Sequence, residues 1–336
     1  MTDRLQEARV LIEGTLVWDD HGGFEIFPDL DIAGQIAPWR AAGVDYLSLS
    51  VGLDPRPWTR TVENIAAVRR RLPDWARLVH TVGEVDAARA EGLMALTFDI
   101  EGMNALGGNL DMVALYYDLG ARHMNFAYNL NNAAGSGCHD VDTGLTDFGR
   151  AVIDEMNRVG MVVDCTHTGY RTTMEAMARS TAPVCFTHSN PRALHDHGRN
   201  IRDDQIRACA ATGGVIGING INLFLGEDAP RPETVATHIA YVADLVGAEH
   251  VALALDYAKG LAMDDAPGDE AAYNDALGLS PDYWPVSEGY DAQIKCVPPR
   301  QLPEIVLALW ARGFSDAEIA GVLGGNTRRL AETVWR

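Results

Sequence analysis

Cysteines and long apolar runs are scarce in this chain of 336 residues, and each scarcity argues against a class of protein. The five cysteines are odd in number and form no CxxC pair, so neither a disulfide framework nor a zinc ribbon is expected. Reduced thiols of this kind favour a cytoplasmic location. No apolar run reaches the roughly 18 residues of a membrane span, and the N-terminal segment lacks the regions of a signal peptide.

Basic side chains are also in short supply. The chain has 27 Lys and Arg against 47 Asp and Glu, a formal net charge of −20. Nucleic acids and anionic membranes are bound through clustered Lys and Arg, so we expect neither as a partner and predict a small-molecule substrate. A negative field of this kind favours cations.

The apolar residues, 47% of the chain, fall into short continuous runs that alternate with longer amphipathic segments. This alternation is typical of an α/β protein, in which parallel strands buried on both faces alternate with helices. Eight such runs predict a (β/α)₈ TIM barrel, a fold of about 250 residues or more. The predicted strands are residues 15–21, 44–52, 93–101, 121–129, 161–167, 183–188, 214–221 and 250–256.

The remaining segments predict helices and one long loop within a single domain that spans residues 1–336. Residues 261–300 are rich in Asp, Gly, Pro, Tyr and Trp and show no periodicity, which predicts an irregular loop, either a lid or a surface excursion. The predicted helices, several of them placed by a cap or a glycine stop, are residues 61–72, 146–159, 203–211, 233–246, 303–312, 315–323 and 326–335.

The ends of the predicted strands carry the polar residues on which the functional prediction depends. The apolar runs close on His21, Glu101, His167, His188 and Asp256. In a (β/α)₈ barrel the carboxyl ends of the strands form the active-site face, so we expect these side chains to converge. Imidazole and carboxylate groups suit zinc or a similar divalent ion, which activates water and polarises a carbonyl. The set therefore predicts a metal site suited to amide hydrolysis.

A single histidine at a strand end is ordinarily a hydrogen-bonded structural residue, so the interpretation depends on the group. His167 and His188 end consecutive predicted strands with the same Thr-His sequence, in VVDCTH and VCFTHS, which favours a pair of ligands. Glu101 and Asp256 follow apolar runs, where a carboxylate without a cation or donors nearby is costly to bury. Of the other histidines, His123 lies inside a predicted strand and is the alternative ligand; the rest are predicted to be structural or at the surface.

Longer motifs connect these residues. Residues 144–219 include GLTDFGRAVIDEMNRVGMVVDCTHTG, then APVCFTHSNPRAL, then GRNIRDDQIRACAATGGVIGIN. DIEGMNAL surrounds Glu101, FAYNLNN spans residues 126–132, ALDYAKG surrounds Asp256, and GFSDAEIAGVLGGNTRRL lies near the C-terminus. Together these motifs cover nearly the whole chain, and they follow one another in the order of one known family. The chain resembles the renal or membrane dipeptidase family of zinc peptidases, within the amidohydrolase superfamily.

The resemblance implies a (β/α)₈ barrel with a binuclear zinc site in a homodimer. It implies that Glu101 bridges the two metal ions and takes part in catalysis. His167 and His188 match the ligands of the second ion, and His21 matches a ligand of the first. Asp256 matches an Asp that assists proton transfer.

The resemblance also implies which residues contact the substrate. Arg199 matches an Arg that contacts the substrate carboxylate, a group that a guanidinium can hold through two hydrogen bonds. Tyr128 stands where the family has a His that steadies the substrate carbonyl or the transition state. Together with Asn129 and Asp256, these residues are the candidate substrate-binding set.

Three positions depart from the family pattern. Gly23 replaces the second Asp of the first-strand DxHxD motif, so the first metal position lacks a ligand. Tyr128 replaces the His just described; a phenol can donate a hydrogen bond but does not become a cation. Ala258 replaces the second Asp of a DFDG segment. Asp20 and Glu25 are the candidate substitutes for the missing metal ligand.

These observations predict a metal-dependent hydrolase of dipeptides or similar small amides, in which metal-activated water attacks the amide carbonyl. Zn²⁺ is the expected cofactor, with one or two ions. Two alternatives remain open at this point. One is a divergent amidohydrolase that acts on a non-peptide amide or a lactam with a single metal ion, which Gly23 and Tyr128 favour. The other is a catalytically inactive barrel that binds a small ligand.

Overall fold

A nearly closed barrel of parallel strands forms the centre of the computed structural model, which describes residues 2–26, 30–260 and 281–336. Neighbouring strands pair in the order β1-β2-β4-β5-β6-β7-β8-β9, and the short β3 pairs with the beginning of β4. The strands of the described residues are β1 (Trp18–Gly22), β2 (Tyr46–Leu53), β3 (Ala76–Leu78), β4 (Met94–Glu101), β5 (Ala121–Asn125), β6 (Val162–Asp164), β7 (Val184–Phe186), β8 (Val215–Ile218) and β9 (Val251–Leu253).

The barrel closes between β1 and the residues that follow β9. Gly22 pairs with Tyr257 in a parallel bridge, and the Gly23 N–H donates to the Tyr257 carbonyl over 3.4 Å. This closure brings His21, inside β1, beside Asp256, which directly precedes Tyr257. The first and last strands thus meet at the site that the sequence predicts.

Helices cover the outside of the barrel and the ends of the chain. They are α1 (Thr2–Gly14), α2 (Ile32–Ala41), α3 (Trp58–Arg71), α4 (Val82–Ala90), α5 (Asp111–Leu119), α6 (Asp147–Val159), α7 (Tyr170–Arg179), α8 (Asp203–Ala211), α9 (Asn222–Leu225), α10 (Pro232–Val246), α11 (Leu302–Ala311), α12 (Asp316–Ala320) and α13 (Asn326–Val334). Among the described helices, none is both long and apolar enough to cross a bilayer.

Helix α6 shows how local sequence sets the bounds of an element. The Thr146 side chain accepts a hydrogen bond from the Gly149 N–H over 3.0 Å and so caps the first turn. Gly160 ends the helix with φ of 91°, a conformation that glycine adopts without a steric penalty. Between them, Val152 and Met156 are fully buried against the barrel.

The eight predicted barrel strands are confirmed, although their hydrogen-bonded ladders are shorter than predicted. The strand predicted for residues 121–129 ends at Asn125, and the following residues leave the sheet as the loop that carries Tyr128 and Asn129. The prediction missed β3, because its sequence Ala-Arg-Leu is too short to show a period.

Most predicted helices agree with the structure within three residues at each end. The helix predicted for residues 315–323 differs in type over its second half. The α-helix ends at Ala320, and the chain continues as a π-helical turn, Gly321–Gly325. Within the predicted loop 261–300, residues 261–280 lie outside the described part of the chain. Residues 281–300 hold three-residue 3₁₀ turns: Pro281–Tyr283, Val286–Glu288 and Pro299–Gln301. The single-domain organisation stays a prediction.

Candidate metal centre and active site

Three side chains from different parts of the barrel converge at the carboxyl ends of the strands. His21 lies in β1, Glu101 is the last residue of β4, and His188 follows β7 by two residues. One potential ligand atom from each lies within 4.8 Å of the others, and all three residues are buried. This is the donor chemistry of a zinc-type site.

His167 joins this group from the loop after β6. Its Nε2 lies 3.1 Å from Nε2 of His188 and 3.3 Å from Glu101 Oε2. On the other side, Nε2 of His21 lies 3.7 Å from Glu101 Oε1 and 3.4 Å from Asp256 Oδ1. Glu101 therefore presents one carboxylate oxygen to the His167–His188 side and the other to the His21 side.

Nδ1 of His167 faces two side chains of the protein. The Asn129 amide nitrogen donates to the Tyr283 carbonyl over 2.8 Å, which leaves the amide oxygen facing Nδ1 of His167 at 2.7 Å. Nε of Arg199, which can only donate, lies 3.0 Å from the same nitrogen. These two contacts hold the ring so that Nε2 faces His188 and Glu101.

A hydrogen bond to Thr187 fixes the tautomer of His188. The Thr187 hydroxyl donates to Asp164 Oδ2 over 2.6 Å, so its oxygen is left to accept from Nδ1 of His188 at 2.9 Å. Nε2 of His188 then keeps its lone pair, and it faces Nε2 of His167 at 3.1 Å. Both nitrogens also face Glu101 Oε2, at 3.3 Å from His167 and 3.7 Å from His188. Imidazole nitrogens and a carboxylate are zinc-type donors, so the residues present fit a divalent metal ion.

Burial and charge act in opposite directions on the two sides of the site. Burial lowers the pKa of both His167 and His188 well below the ordinary value, which keeps these imidazoles neutral. Burial also disfavours a charge on His21, but Glu101 and Asp99 outweigh it and raise the His21 pKa well above its usual value. Burial raises the pKa of Glu101 to about 7.

Backbone strain is concentrated at the same site. Among the described residues other than glycine, positive φ occurs at Asn129 (62°), His167 (61°) and Asp256 (53°). This conformation is uncommon for residues with a side chain, and strained backbone of this kind clusters at functional sites. Each of the three is a residue that the sequence singles out.

Arg199 is buried, and its donors are directed at groups of the protein. Its Nη1 donates to Ser189 Oγ over 3.0 Å and its Nη2 donates to the His188 carbonyl over 2.7 Å. Its Nε lies 3.0 Å from Nδ1 of His167, and the side chain is buried behind the two imidazoles. The guanidinium thus braces the loops that carry His167 and His188, and its contact with substrate stays a prediction.

A cavity of about 130 Å³ opens onto the metal-facing groups. Within the described residues its wall includes His21, Glu101, His167 and Asp256, together with apolar and aromatic side chains such as Phe24, Ile221 and Trp284. Trp284, which sequence reasoning did not single out, lines this wall and donates from Nε1 to the Tyr128 hydroxyl over 3.2 Å. The Tyr128 ring stacks on His167 with centroids 4.1 Å apart.

Gly23 leaves open space beside His21. A Cβ added there would meet a single neighbour, the Cβ of Ser50, at the ordinary distance of 3.7 Å. Ser50 is a second residue that the sequence did not point out; its hydroxyl donates to Glu101 Oε1 over 3.0 Å. Neither proposed substitute for the missing ligand stands in the metal-binding cluster: Trp18 holds the Asp20 carboxylate at 2.9 Å, and Glu25 lies 3.6 Å from Arg56.

Comparison with known proteins identifies the family. The family model of membrane dipeptidases, peptidase family M19, matches residues 43–273. The chain belongs to this family. An uncharacterized dipeptidase of Schizosaccharomyces pombe is 29% identical over 287 residues, 82% of this chain and 62% of that protein. A second dipeptidase of the same yeast is matched over 50% of its length, so the chain spans only part of these relatives.

Solved structures share the fold of this family member over its whole length. An amidohydrolase from Pseudomonas aeruginosa superposes with a TM-score of 0.85 at 24% identity, over 98% of this chain and 99% of that one. A metallopeptidase from Rhodobacter sphaeroides, bound to a phosphinate mimic of the dipeptide L-Ala-D-Ala, gives 0.74 at 19% identity, over 96% and 100%. At these identities the likeness confirms the α/β barrel.

Proposed function

We propose that this family member is a divalent-metal-dependent hydrolase of dipeptides or similarly small amides. The observation that carries the proposal is the convergence of His21, Glu101, His167 and His188, with Nε2 of His167 and Nε2 of His188 only 3.1 Å apart beside the Glu101 carboxylate. Family membership supports the same chemistry, since the family is that of membrane dipeptidases.

The proposed ligands are the three imidazoles and Glu101, a set that favours zinc. A divalent ion held there would supply Lewis-acid chemistry, lowering the pKa of water and polarising an amide carbonyl. The neutral state of His167 and His188 suits this role, because a protonated imidazole cannot bind a metal.

Asp256 is placed to handle protons at the edge of the site. Its Oδ2 accepts a hydrogen bond from the Asn219 side chain over 2.8 Å, which fixes the carboxylate, while Oδ1 faces His21 and the cavity. A carboxylate held in this way can accept a proton from the attacking water and return it to the leaving amine.

Dipeptides are the favoured substrate class. The site lies in a cavity of about 130 Å³, which suits a small molecule better than a polypeptide chain. The two yeast relatives are dipeptidases by name. One solved structure of the same fold holds a dipeptide mimic with a D-configured C-terminal residue. Substrates with a D-residue at the C-terminus therefore belong in the first set to test.

A non-peptide amide or lactam, processed with a single ion, is the second candidate. Gly23 favours it, because glycine has no side chain to bind another ion, and among the described residues the metal-binding cluster is His21, Glu101 and His188 without a further carboxylate. Tyr128 favours it too, because it stands where the family pattern places a His that contacts the substrate. Its hydroxyl accepts a hydrogen bond from Trp284 Nε1. We propose one tightly held ion for either substrate class.

The test is metal-dependent hydrolysis across a dipeptide library that includes D-residue C-termini, with small lactams and acylated amines as a parallel set. Protein stripped with a chelator should lose activity and regain it with Zn²⁺. Cleavage confined to the parallel set would select the second candidate. Metal-free protein that keeps full activity would refute the proposal in either form.

A further inference from the structure

A cluster of buried polar side chains lies inside the barrel, beneath the proposed ligands. His123 in β5 is at its centre, surrounded by Asp20 of β1, Asp99 of β4 and Asp164 of β6. All four are at most 6% exposed, so solvent does not pair with them. None belongs to the metal-binding cluster, and the proposed mechanism does not use them directly.

Both ring nitrogens of His123 are directed at groups from other strands. Nε2 lies 3.1 Å from the main-chain carbonyl of Asp20 and 4.0 Å from Asp99 Oδ2. Nδ1 lies 3.7 Å from Asp164 Oδ2. The His123 ring therefore lies between Asp20 of β1 and Asp99 of β4 on one side and Asp164 of β6 on the other.

Two of these carboxylates, those of Asp99 and Asp164, also hold proposed metal ligands. Asp99 Oδ1 lies 3.2 Å from Nδ1 of His21. Asp164 Oδ2 accepts from the Thr187 hydroxyl over 2.6 Å, and Thr187 in turn holds Nδ1 of His188 at 2.9 Å. The His123 imidazole thus contacts both Asp99, which holds His21, and Asp164, which holds His188 through Thr187.

We propose that His123 is a positioning residue that orients both His21 and His188 for metal binding, through Asp99 and through Asp164 with Thr187. The inference rests on the metal-binding part of the proposed function. Such outer-sphere partners fix the tautomer and ring angle of a ligand, and losing one costs about 10- to 100-fold in metal affinity.

The charges in the cluster supply the physical reason. Burial disfavours a cation on His123, yet Asp20, Asp164 and Asp99 together raise its pKa to about 9. A cationic ring there partly balances carboxylates that would otherwise repel one another in a buried setting. Without it, Asp99 and Asp164 lose a shared partner, and the imidazoles that they hold lose their fixed orientation.

The first experiment measures Co²⁺ affinity and the visible spectrum of bound Co²⁺ in the wild type, His123→Gln and His123→Asn. We expect affinity to fall by about 10- to 100-fold in H123Q, with a changed spectrum, and H123N to differ from it because the shorter amide reaches different neighbours. His238→Gln is the matched control, since His238 is equally buried but lies in α10. It should leave both quantities unchanged.

A second variant guards against a fold defect in the first. Thr187→Val removes one hydroxyl between Asp164 and His188 with little change of volume. If His123 acts through this arm, the affinity losses of H123Q and T187V will not multiply in the double variant. Losses that multiply, or an H123Q protein with wild-type affinity and spectrum, would overturn the inference.

The outcome separates this inference from the proposed function. Wild-type protein that binds no Co²⁺ would refute the metal-dependent function and the inference with it. Wild-type protein that binds Co²⁺, with H123Q indistinguishable from it, would refute the role of His123 alone.

Discussion

On the His167–His188 side of the site, each imidazole has its Nδ1 held by side chains of the protein, Asn129 and Arg199 for one and Thr187 for the other. On the His21 side, the imidazole shares its surroundings with the carboxylates of Glu101 and Asp256, and the neighbouring position is a glycine. The first side consists of neutral donors behind which Arg199 is packed. The second consists of charged groups next to open space.

This difference indicates where an ion would be held most firmly. Neutral imidazoles whose rings are already held by neighbouring side chains need not give up a positive charge or turn when a metal binds. The His21 side must give up a proton first, because the pKa of His21 is raised. We therefore expect tight metal binding to need Glu101, which faces both sides of the site. We expect the contribution of His21 to metal affinity to depend on pH.

Removing the shared carboxylate should have the largest effect. In Glu101→Gln, neither side keeps the anionic oxygen that faces it, so metal binding and hydrolysis should both collapse. We expect a loss of more than about 1,000-fold in kcat/KM, measured with metal at saturating concentration. Glu63→Gln, on the exposed surface of α3, is the control and should behave as wild type. Near-normal activity in E101Q would show that Glu101 is not part of the metal centre.

Metal affinity should fall as the pH is lowered. Between pH 8 and 6 an ion must displace the proton that the raised pKa of His21 retains, so affinity should drop by about tenfold per pH unit. Calorimetry in two buffers of different ionisation enthalpy measures the proton released. In His21→Gln the slope should become shallower, because His167 and His188 are already neutral and only the proton on Glu101, with its pKa of about 7, is left to displace. A wild-type affinity that does not change with pH would contradict the contrast between the two sides.

Changing Arg199 should have a smaller effect that distinguishes two roles. Arg199→Lys keeps the charge but loses the paired contacts to Ser189 and to the His188 carbonyl, so metal affinity should weaken by about tenfold. With metal saturating, KM should stay near the wild-type value. The reverse result, raised KM with normal metal affinity, would support the substrate-carboxylate contact that the family resemblance implies. Arg192→Lys, at the surface, is the control.

The sequence was informative about the scaffold because the scaffold follows simple patterns. Strands buried on both faces appear as continuous apolar runs, and the Thr-His endings of two of them identified His167 and His188. The strand β3 escaped prediction since three residues show no period. Several helices, including α1 with its largely exposed polar face and α2 with an internal proline, also lacked a clear pattern.

The site was predictable in its residues but not in its contacts. Nothing local marks Ser50 as a partner of Glu101 or Trp284 as a partner of Tyr128, because both contacts join segments far apart in the chain. The position of Arg199 behind the imidazoles likewise depends on how the loops pack. His123, an alternative ligand by sequence, turns its nitrogens to buried groups of neighbouring strands instead.

The most direct test of the account is the number of zinc ions that each chain retains after dialysis against a weak chelator, in wild type, Gly23→Ala and Gly23→Asp. The space beside Gly23 admits a side chain, so both variants should fold. We predict one ion in the wild type, one in G23A, and two in G23D, where the new carboxylate completes the His21 side. Wild-type protein that retains no zinc, or that already holds two ions equally tightly, would contradict the account.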